Sequence, residues 1–167
     1  TNNKSVQERA MALRNYGSKK RYYNDEIGIN SRLDELQAGL LRVKLKHIQQ
    51  INEERNNICQ RYLSGIQNPS LELPRIANDA TTVWHQFVIR VAEREKLIQY
   101  LDKNDIQTTI HYPIPPHLQK AYKNLDYGLE SFPITKKYAD EVLSLPLFNG
   151  MREEEIQKVI NVLNDFE

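Results

Sequence analysis

Apolar side chains recur at helical spacing through residues 31–65, a stretch that contains no proline. Ser31 and Asp34 stand at capping-box spacing at its start, and Gly65 and Pro69 mark its end. A helix of about 32 residues would be roughly 50 Å long, which is more than one small core can cover. We therefore predict a long helix that connects domains or crosses an oligomer interface. Its apolar positions are Leu33, Leu36, Leu40, Leu41, Ile48, Ile51, Ile58 and Tyr62.

Shorter periodic segments flank this predicted helix. Ser5 and Glu8 have the spacing of a capping box at the start of the first of them. The predicted elements are a helix at 5–15, a strand at 83–91, a helix at 94–104, a strand at 107–112 and helices at 133–143 and 152–166. This order predicts an α+β fold with an antiparallel or mixed sheet and helices on one face.

The composition narrows the class of protein. The chain has 167 residues, 40% hydrophobic and 27% charged, which is typical of a globular protein of one domain or slightly more. A net charge of +1 gives no electrostatic reason to expect nucleic acid, and no apolar run approaches the roughly 20 residues that span a bilayer. The first residues include neither an initiator Met nor a secretory signal, so we expect a chain cut from a longer protein.

Few of the common catalytic or metal-binding arrangements occur. The single cysteine, Cys59, cannot form an internal disulfide, which favours a reducing, cytoplasmic location, and its helical context favours a structural thiol. No histidine pair has zinc-ligand spacing, so no metal site is predicted; the histidines are His47, His85, His111 and His117. The sequence also has no Gly-rich phosphate loop and no Gly-x-Ser-x-Gly elbow.

Three segments combine side chains suited to ligand binding. Residues 15–23 carry cations and tyrosines that fit a phosphate and a sugar, although an exposed loop can have the same composition. Residues 28–39 place Asn30 at a helix start, where backbone amides favour an anion, and simple capping is the alternative. Residues 111–117 hold a histidine and a tyrosine in a proline-stiffened loop, which suits ligand recognition or a plain structural connection.

The three segments together resemble a known family, the sugar aminotransferases of the DegT/DnrJ/EryC1/StrS family. The resemblance covers essentially the whole chain, and the residues near its end at 144–147 are similar to the family's closing segment. The motifs, in order, are Asn15-Tyr16-Gly17, Gly28-Ile29-Asn30-Ser31-Arg32-Leu33-Asp34-Glu35-Leu36-Gln37-Ala38 and His111-Tyr112-Pro113-Ile114-Pro115.

The resemblance implies a fold of the aspartate-aminotransferase type. A large N-terminal domain then binds pyridoxal phosphate and a small C-terminal α+β domain completes the site. Residues 1–30 would be the tail of the large domain and an active-site loop, 31–65 a long connecting helix, and 66–167 the small domain. The resemblance further implies a homodimer that transfers an amino group from glutamate to a nucleotide-linked keto-sugar, in lipopolysaccharide or deoxyamino-sugar biosynthesis.

The motifs also imply roles for particular residues. Asn30 matches the asparagine that reaches the cofactor phosphate of the other subunit. Lys19 and Arg21 lie in the loop whose cations approach the nucleotide diphosphate, and His111 and Tyr112 match the loop that contacts the sugar nucleotide. The family's cofactor-binding lysine and its aspartate lie upstream of the matched motifs. We therefore nominate no catalytic residue, and expect this chain alone to be inactive.

Tyr16 in the first motif is more similar to members that aminate C3 of a dTDP-linked 6-deoxy keto-sugar than to C4 enzymes. Arg32 matches a motif position at which a structural role and a ligand role are both open. Three alternatives remain at this stage. They are a sugar dehydratase of the same fold with histidine in place of the lysine, a non-catalytic regulator, and a small interaction module that dimerises through the long helix.

Overall fold

The computed structural model describes residues 1–20, 22–128 and 130–167 of the chain. These residues form two compact units, Thr1–Ile48 and Gln49–Glu167. No described helix is both long and apolar enough to cross a membrane.

The first unit opens with helix α1 (Lys4–Leu13), which is capped by Asn3 and not by Ser5 as predicted. The side-chain oxygen of Asn3 accepts from the backbone amides of Ser5 at 3.0 Å and Val6 at 3.3 Å. The Ser5 hydroxyl donates to the same oxygen at 2.8 Å. Asparagine and serine are comparable caps, so two candidates within three positions leave the start of a helix ambiguous in sequence.

A small antiparallel hairpin follows, made of β1 (Ser18–Lys20) and β2 (Tyr23–Asn24). Helix α2 (Glu35–Leu45) then begins after Asp34, so the predicted start at Ser31 is three residues too early. The Gln37 side chain accepts from the Asp34 backbone amide at 3.4 Å, which is one half of a capping box.

The predicted long helix is two helices, and the prediction of an unbroken helix over 31–65 is wrong. Helix α2 ends at Leu45, and α3 (Ile48–Gly65) begins three residues later. The amides of Lys46 and His47 donate three residues back, to Val43 and Lys44, so the last turn tightens before the break. Helical periodicity continues across a two-residue break of this kind, and neither glycine nor proline marks it.

The second unit is built on two antiparallel strands, β3 (Phe87–Arg90) and β4 (Val142–Leu145), with Phe87 opposite Leu145 and Arg90 opposite Val142. Single bridges extend the pairing on both sides, from Glu72 to Arg90 and from Thr109 to Ser144. The antiparallel arrangement agrees with the sequence, but the strand expected at 107–112 is reduced to the bridge at Thr109.

The strand predicted over 83–91 is shorter because its first residues have other partners. Arg55 donates to the backbone carbonyls of Trp84 at 2.8 Å and His85 at 2.6 Å, so a side chain takes the place of a neighbouring strand. Trp84 also has a φ of 51°, outside the extended region. Regular pairing therefore begins at Phe87.

The second unit also contains the helices α4 (Arg94–Lys103), α5 (Pro133–Glu141) and α6 (Glu153–Asn164), and short 3-10 turns at Pro116–Leu118 and Lys120–Leu125. The apolar faces of α4 and α6 join α3 and the strands in one core. The buried members of this core are Ile58, Cys59, Tyr62, Ile66, Leu71, Trp84, Phe87, Ile89, Val91, Leu97, Leu101, Ile106, Leu143, Leu145, Ile156, Val159, Ile160, Leu163 and Phe166.

Two groups of α3 illustrate how the helix is fixed to the unit. Burial raises the pKa of the Cys59 thiol to about 12, so the thiol stays protonated and serves as a packing group. The Glu54 carboxylate accepts from Asn149 Nδ2 at 2.8 Å and from the Gly150 amide at 2.6 Å. These two hydrogen bonds, with the larger effect from Asn149, lower the pKa of Glu54 below its usual value.

Candidate functional site

The prediction that Asn30 stands at a helix start is wrong, because α2 begins only after Asp34. Asn30 lies instead beside the end of α1, in an extended segment held by backbone hydrogen bonds. The Tyr16 amide donates to the Ile29 carbonyl at 3.1 Å, and the Ile29 amide donates to the Leu13 carbonyl at 2.8 Å. Asn15 and Asn30 form an isolated antiparallel bridge. The backbone of Asn30 is thereby fixed while its side chain remains exposed and available to a ligand.

Two glycines allow this close approach of backbone segments. Gly17 has a φ of +74°, and a Cβ built on it would lie 1.7 Å from the Glu26 carbonyl oxygen. A Cβ built on Gly28 would lie 2.2 Å from the Gly17 nitrogen. We call this contact the glycine pair, Gly17 and Gly28. No side chain fits at either position, because backbone atoms occupy the space.

Arg32 is held by its neighbours in the first unit. Its Nη2 donates to Asn15 Oδ1 at 2.7 Å, and its guanidinium lies 5.8 Å from the ring centroid of Tyr16. Of the two roles left open for Arg32 by the sequence, these contacts support the structural one. Arg32 therefore links the first motif to the second.

Lys19 lines a cavity of about 540 Å³ in the first unit, together with Arg14, Arg32 and Glu8. Three cations and one carboxylate give this cavity a positive balance, and a cavity of that kind attracts phosphate or carboxylate groups. Arg21, the other cation predicted for this loop, lies outside the described residues.

His111 and Tyr112 lie in the second unit, at the start of the proline-rich loop. The two rings meet edge to face with centroids 5.4 Å apart. His111 Nδ1 lies 2.8 Å from the Ser144 hydroxyl of β4, whereas Tyr112 is 73% exposed. The structure thus anchors the histidine on the sheet and leaves the tyrosine ring open to a ligand.

The structure assigns the predicted residues to two units. Lys19 and Asn30 belong to the first unit, and His111 and Tyr112 to the second. The contact of His111 with Ser144 was not predicted. A polar residue between two leucines of a buried strand was the available signal, because a buried polar group is more informative than a buried apolar one.

No group of three or more His, Cys, Asp or Glu among the described residues could hold a metal ion. The available donors suit an anion instead. Asn30 offers the N–H groups of an exposed carboxamide, and the cavity beside Lys19 offers cations. A phosphorylated cofactor or a nucleotide diphosphate fits this donor set.

Comparisons with known proteins point in the same direction. A sequence model of the DegT/DnrJ/EryC1/StrS aminotransferase family matches residues 1–164. The chain is 48% identical over 166 residues to dTDP-3-amino-3,6-dideoxy-alpha-D-galactopyranose transaminase of Aneurinibacillus thermoaerophilus, covering 99% of this chain and 45% of that protein. It is 42% identical over 164 residues to the erythromycin biosynthesis sensory transduction protein EryC1 of Saccharopolyspora erythraea, covering 98% and 45%.

The fold has a close match among solved structures. The crystal structure of DesV from S. venezuelae in complex with a ketimine intermediate superposes with a TM-score of 0.92 at 38% identity. That match covers 99% of this chain and 45% of DesV. The chain therefore spans a little under half the length of the relatives it matches.

Proposed function

Because this chain belongs to the DegT/DnrJ/EryC1/StrS aminotransferase family, we propose that it is the C-terminal part of a pyridoxal-phosphate-dependent sugar aminotransferase. The whole enzyme transfers an amino group from glutamate to a keto-sugar linked to a nucleotide. The observation that carries this proposal is the 48% identity, along nearly the entire chain, to a dTDP-3-amino-sugar transaminase.

The same relative supports a narrower substrate class. Its name specifies an amino group at C3 of a dTDP-linked dideoxy sugar. Asn15-Tyr16-Gly17 agrees with the C3 branch in the first motif. The substrate of the whole enzyme is accordingly a dTDP-linked 3-keto-6-deoxyhexose, and the product a 3-amino sugar for a surface polysaccharide or a glycosylated natural product.

Pyridoxal phosphate, when bound, supplies the electron sink for amino transfer. The residues of this chain bind and orient the cofactor and the sugar nucleotide. Asn30 donates to the cofactor phosphate in the site of the partner subunit. Lys19, and Arg21 with it, neutralises the nucleotide diphosphate, while His111 and Tyr112 hold the sugar nucleotide. The lysine that binds the cofactor covalently belongs to the upstream part of the whole enzyme.

The proposal extends to assembly and location. Residues 1–30 are the tail of the cofactor domain and 66–167 the small domain, joined by the segment 31–65, which carries α2 and α3. Helix α2 buries none of its described side chains, and Leu36 and Leu40 are 77% and 67% exposed. An apolar face of this kind supports a homodimer with the active site at the subunit interface. The enzyme works in the cytoplasm.

The function is tested on the whole enzyme with glutamate and a dTDP-linked 3-keto-6-deoxyhexose, by mass spectrometry of the sugar product. Asn30→Ala should weaken cofactor binding about 10-fold to 100-fold, since a hydrogen bond to a charged group contributes ~1.5–3 kcal/mol. Asn24→Ala, at an exposed position of β2, is the matched control. Unchanged cofactor affinity in Asn30→Ala would remove the phosphate role.

A regulatory function is the second candidate, because two relatives carry such names. EryC1 is called a sensory transduction protein, and a Geobacillus stearothermophilus relative at 35% identity is called a pleiotropic regulatory protein. The same assay separates the two functions. A regulator would show neither retention of pyridoxal phosphate nor turnover of the nucleotide sugar.

A further inference from the structure

Ser144 is the one buried polar residue among the described part of the chain, with 6% of its surface exposed. It lies in β4 between Leu143 and Leu145, which belong to the core. Successive residues of a strand face opposite sides, so Ser144 presents its hydroxyl on the side away from those leucines. Its backbone is paired with Thr109 in both directions, at 2.9 and 3.3 Å.

The Ser144 hydroxyl has one hydrogen-bond partner among the described residues, His111 Nδ1 at 2.8 Å. A hydroxyl buried without a partner would destabilise the protein, so the hydroxyl hydrogen is expected to go to that nitrogen. If Nδ1 carried the proton instead, the hydroxyl hydrogen would have no described acceptor. The contact therefore favours the neutral tautomer of His111 that is protonated at Nε2.

We propose that Ser144 is a positioning residue that keeps His111 in the Nε2–H tautomer with its ring fixed. His111 then offers one N–H donor, which suits an oxygen atom of the sugar nucleotide: a ring hydroxyl, the keto oxygen or a phosphate oxygen. Among the described residues, the Ser144 hydroxyl bonds to His111 and acts through it. This inference rests on the proposed function to the extent that His111 contacts the sugar nucleotide.

The tautomer can be tested without any substrate. In the whole enzyme labelled with ¹⁵N-histidine, long-range ¹H–¹⁵N spectra distinguish Nε2–H from Nδ1–H, and His111→Gln identifies the His111 signals. We expect the Nε2–H pattern in the wild type and a mixture of both tautomers in Ser144→Ala. Ser144→Thr, which keeps the hydroxyl, should retain the wild-type pattern. An Nδ1–H pattern in the wild type, or no change in Ser144→Ala, would overturn the proposal.

The kinetic test uses the two half-reactions separately. Ser144→Ala should raise the KM for the nucleotide sugar about 3-fold to 10-fold, the usual effect of one neutral hydrogen bond, and leave the glutamate half-reaction unchanged. Ser144→Thr should restore the KM. Ser64→Ala in α3, where the hydroxyl bonds to its own helix, is the matched control.

A double-mutant cycle separates positioning from a general packing effect. In the His111→Ala background, Ser144→Ala should add no further increase in the KM for the sugar, because the group it positions is gone. Additive effects, or an equal loss in the glutamate half-reaction, would show a packing role and refute the positioning role. If the wild-type enzyme turns over no nucleotide sugar, the proposed function fails, while the tautomer spectra still decide the role of Ser144.

Discussion

Tyr62→Phe is the most direct test of how the second unit is held together. Tyr62 lies in α3 with none of its surface exposed, and its hydroxyl donates to the Pro146 carbonyl at 2.9 Å. Burial raises the pKa of Tyr62 well above its usual value, so the phenol keeps its proton and remains a donor. Phenylalanine preserves the ring and its edge-to-face contact with Phe87, in which the ring centroids are 5.2 Å apart, and removes only the hydroxyl.

The expected loss of stability follows from the Pro146 carbonyl, which loses its hydrogen-bond donor. No other described hydrogen bond reaches the Pro146 carbonyl, so the substitution leaves an unpaired acceptor next to the core. An unpaired acceptor of this kind lowers the free energy of unfolding by about 1–3 kcal/mol. Because the variant no longer has to bury the tyrosine hydroxyl, we expect a net loss of about 1–2 kcal/mol. For a unit of about 120 residues, with an unfolding entropy near 2.1 cal/mol/K per residue, this lowers Tm by roughly 4–8 °C.

Urea unfolding followed by tryptophan fluorescence measures this loss. Trp84 is the single tryptophan of the chain, is 5% exposed and lies 5.4 Å from Phe87, so its emission reports on this core. The urea midpoint should fall with an unchanged m-value. Tyr122→Phe, at a 49% exposed site, is the matched control and should change stability by less than about 0.5 kcal/mol. An effect of Tyr62→Phe no larger than that of the control would refute the reasoning.

Two further predictions concern a carboxylate and a glycine. The lowered pKa of Glu54 means that its contribution to stability is present above its ordinary value of 4.5 and is lost as the pH falls through the lower folded value. Glu54→Gln should therefore lower the urea midpoint at pH 7 but not at pH 2, whereas Glu53→Gln, an exposed neighbour, should change little at either pH. Gly17→Ala should destabilise the first unit by at least about 1–2 kcal/mol, because its φ is positive and its Cβ would overlap the Glu26 carbonyl. Gly39→Ala in α2 meets no atom within 4 Å and should stabilise the helix by about 0.5–1 kcal/mol. Amide hydrogen exchange over residues 1–48 in the whole enzyme measures both changes, and equal protection in the two glycine variants would contradict the steric argument.

The fold type and several helices could be predicted from the sequence because they depend on local periodicity. The helix expected at 152–166 is observed as Glu153–Asn164, with its apolar positions buried, and the helix expected at 94–104 as Arg94–Lys103. The motifs led to the DegT/DnrJ/EryC1/StrS family and to the aspartate-aminotransferase fold type, and both are confirmed.

The missed features depend on partners distant in sequence. Strand β4 lies where a helix was expected to end, because Val142 and Leu143 pair with β3 more than fifty residues earlier. Pairing of this kind overrides local propensity. The break between α2 and α3 has no sequence marker. The contact between Ser144 and His111 could not be predicted from either motif alone, because the two residues lie 33 positions apart.

The fold is confirmed, whereas the binding roles of individual residues are still predictions. Asn30 is exposed, Lys19 lines a cationic cavity, and His111 is anchored while Tyr112 is open. These placements are compatible with the predicted roles, which remain predictions until a ligand is bound. The motifs specify which residues stand at these positions, whereas their contacts depend on the folded backbone.

The glycine pair brings together the two ends of a ten-residue segment in the first unit, residues 18–27. Backbone hydrogen bonds from Tyr16 to Ile29 and from Ile29 to Leu13 hold these ends together and involve no side chain. The side chains at these ten positions can therefore vary in charge and aromatic character while the backbone hydrogen bonds at the two ends are kept. We expect that replacing this segment would leave the backbone hydrogen bonds at its two ends intact.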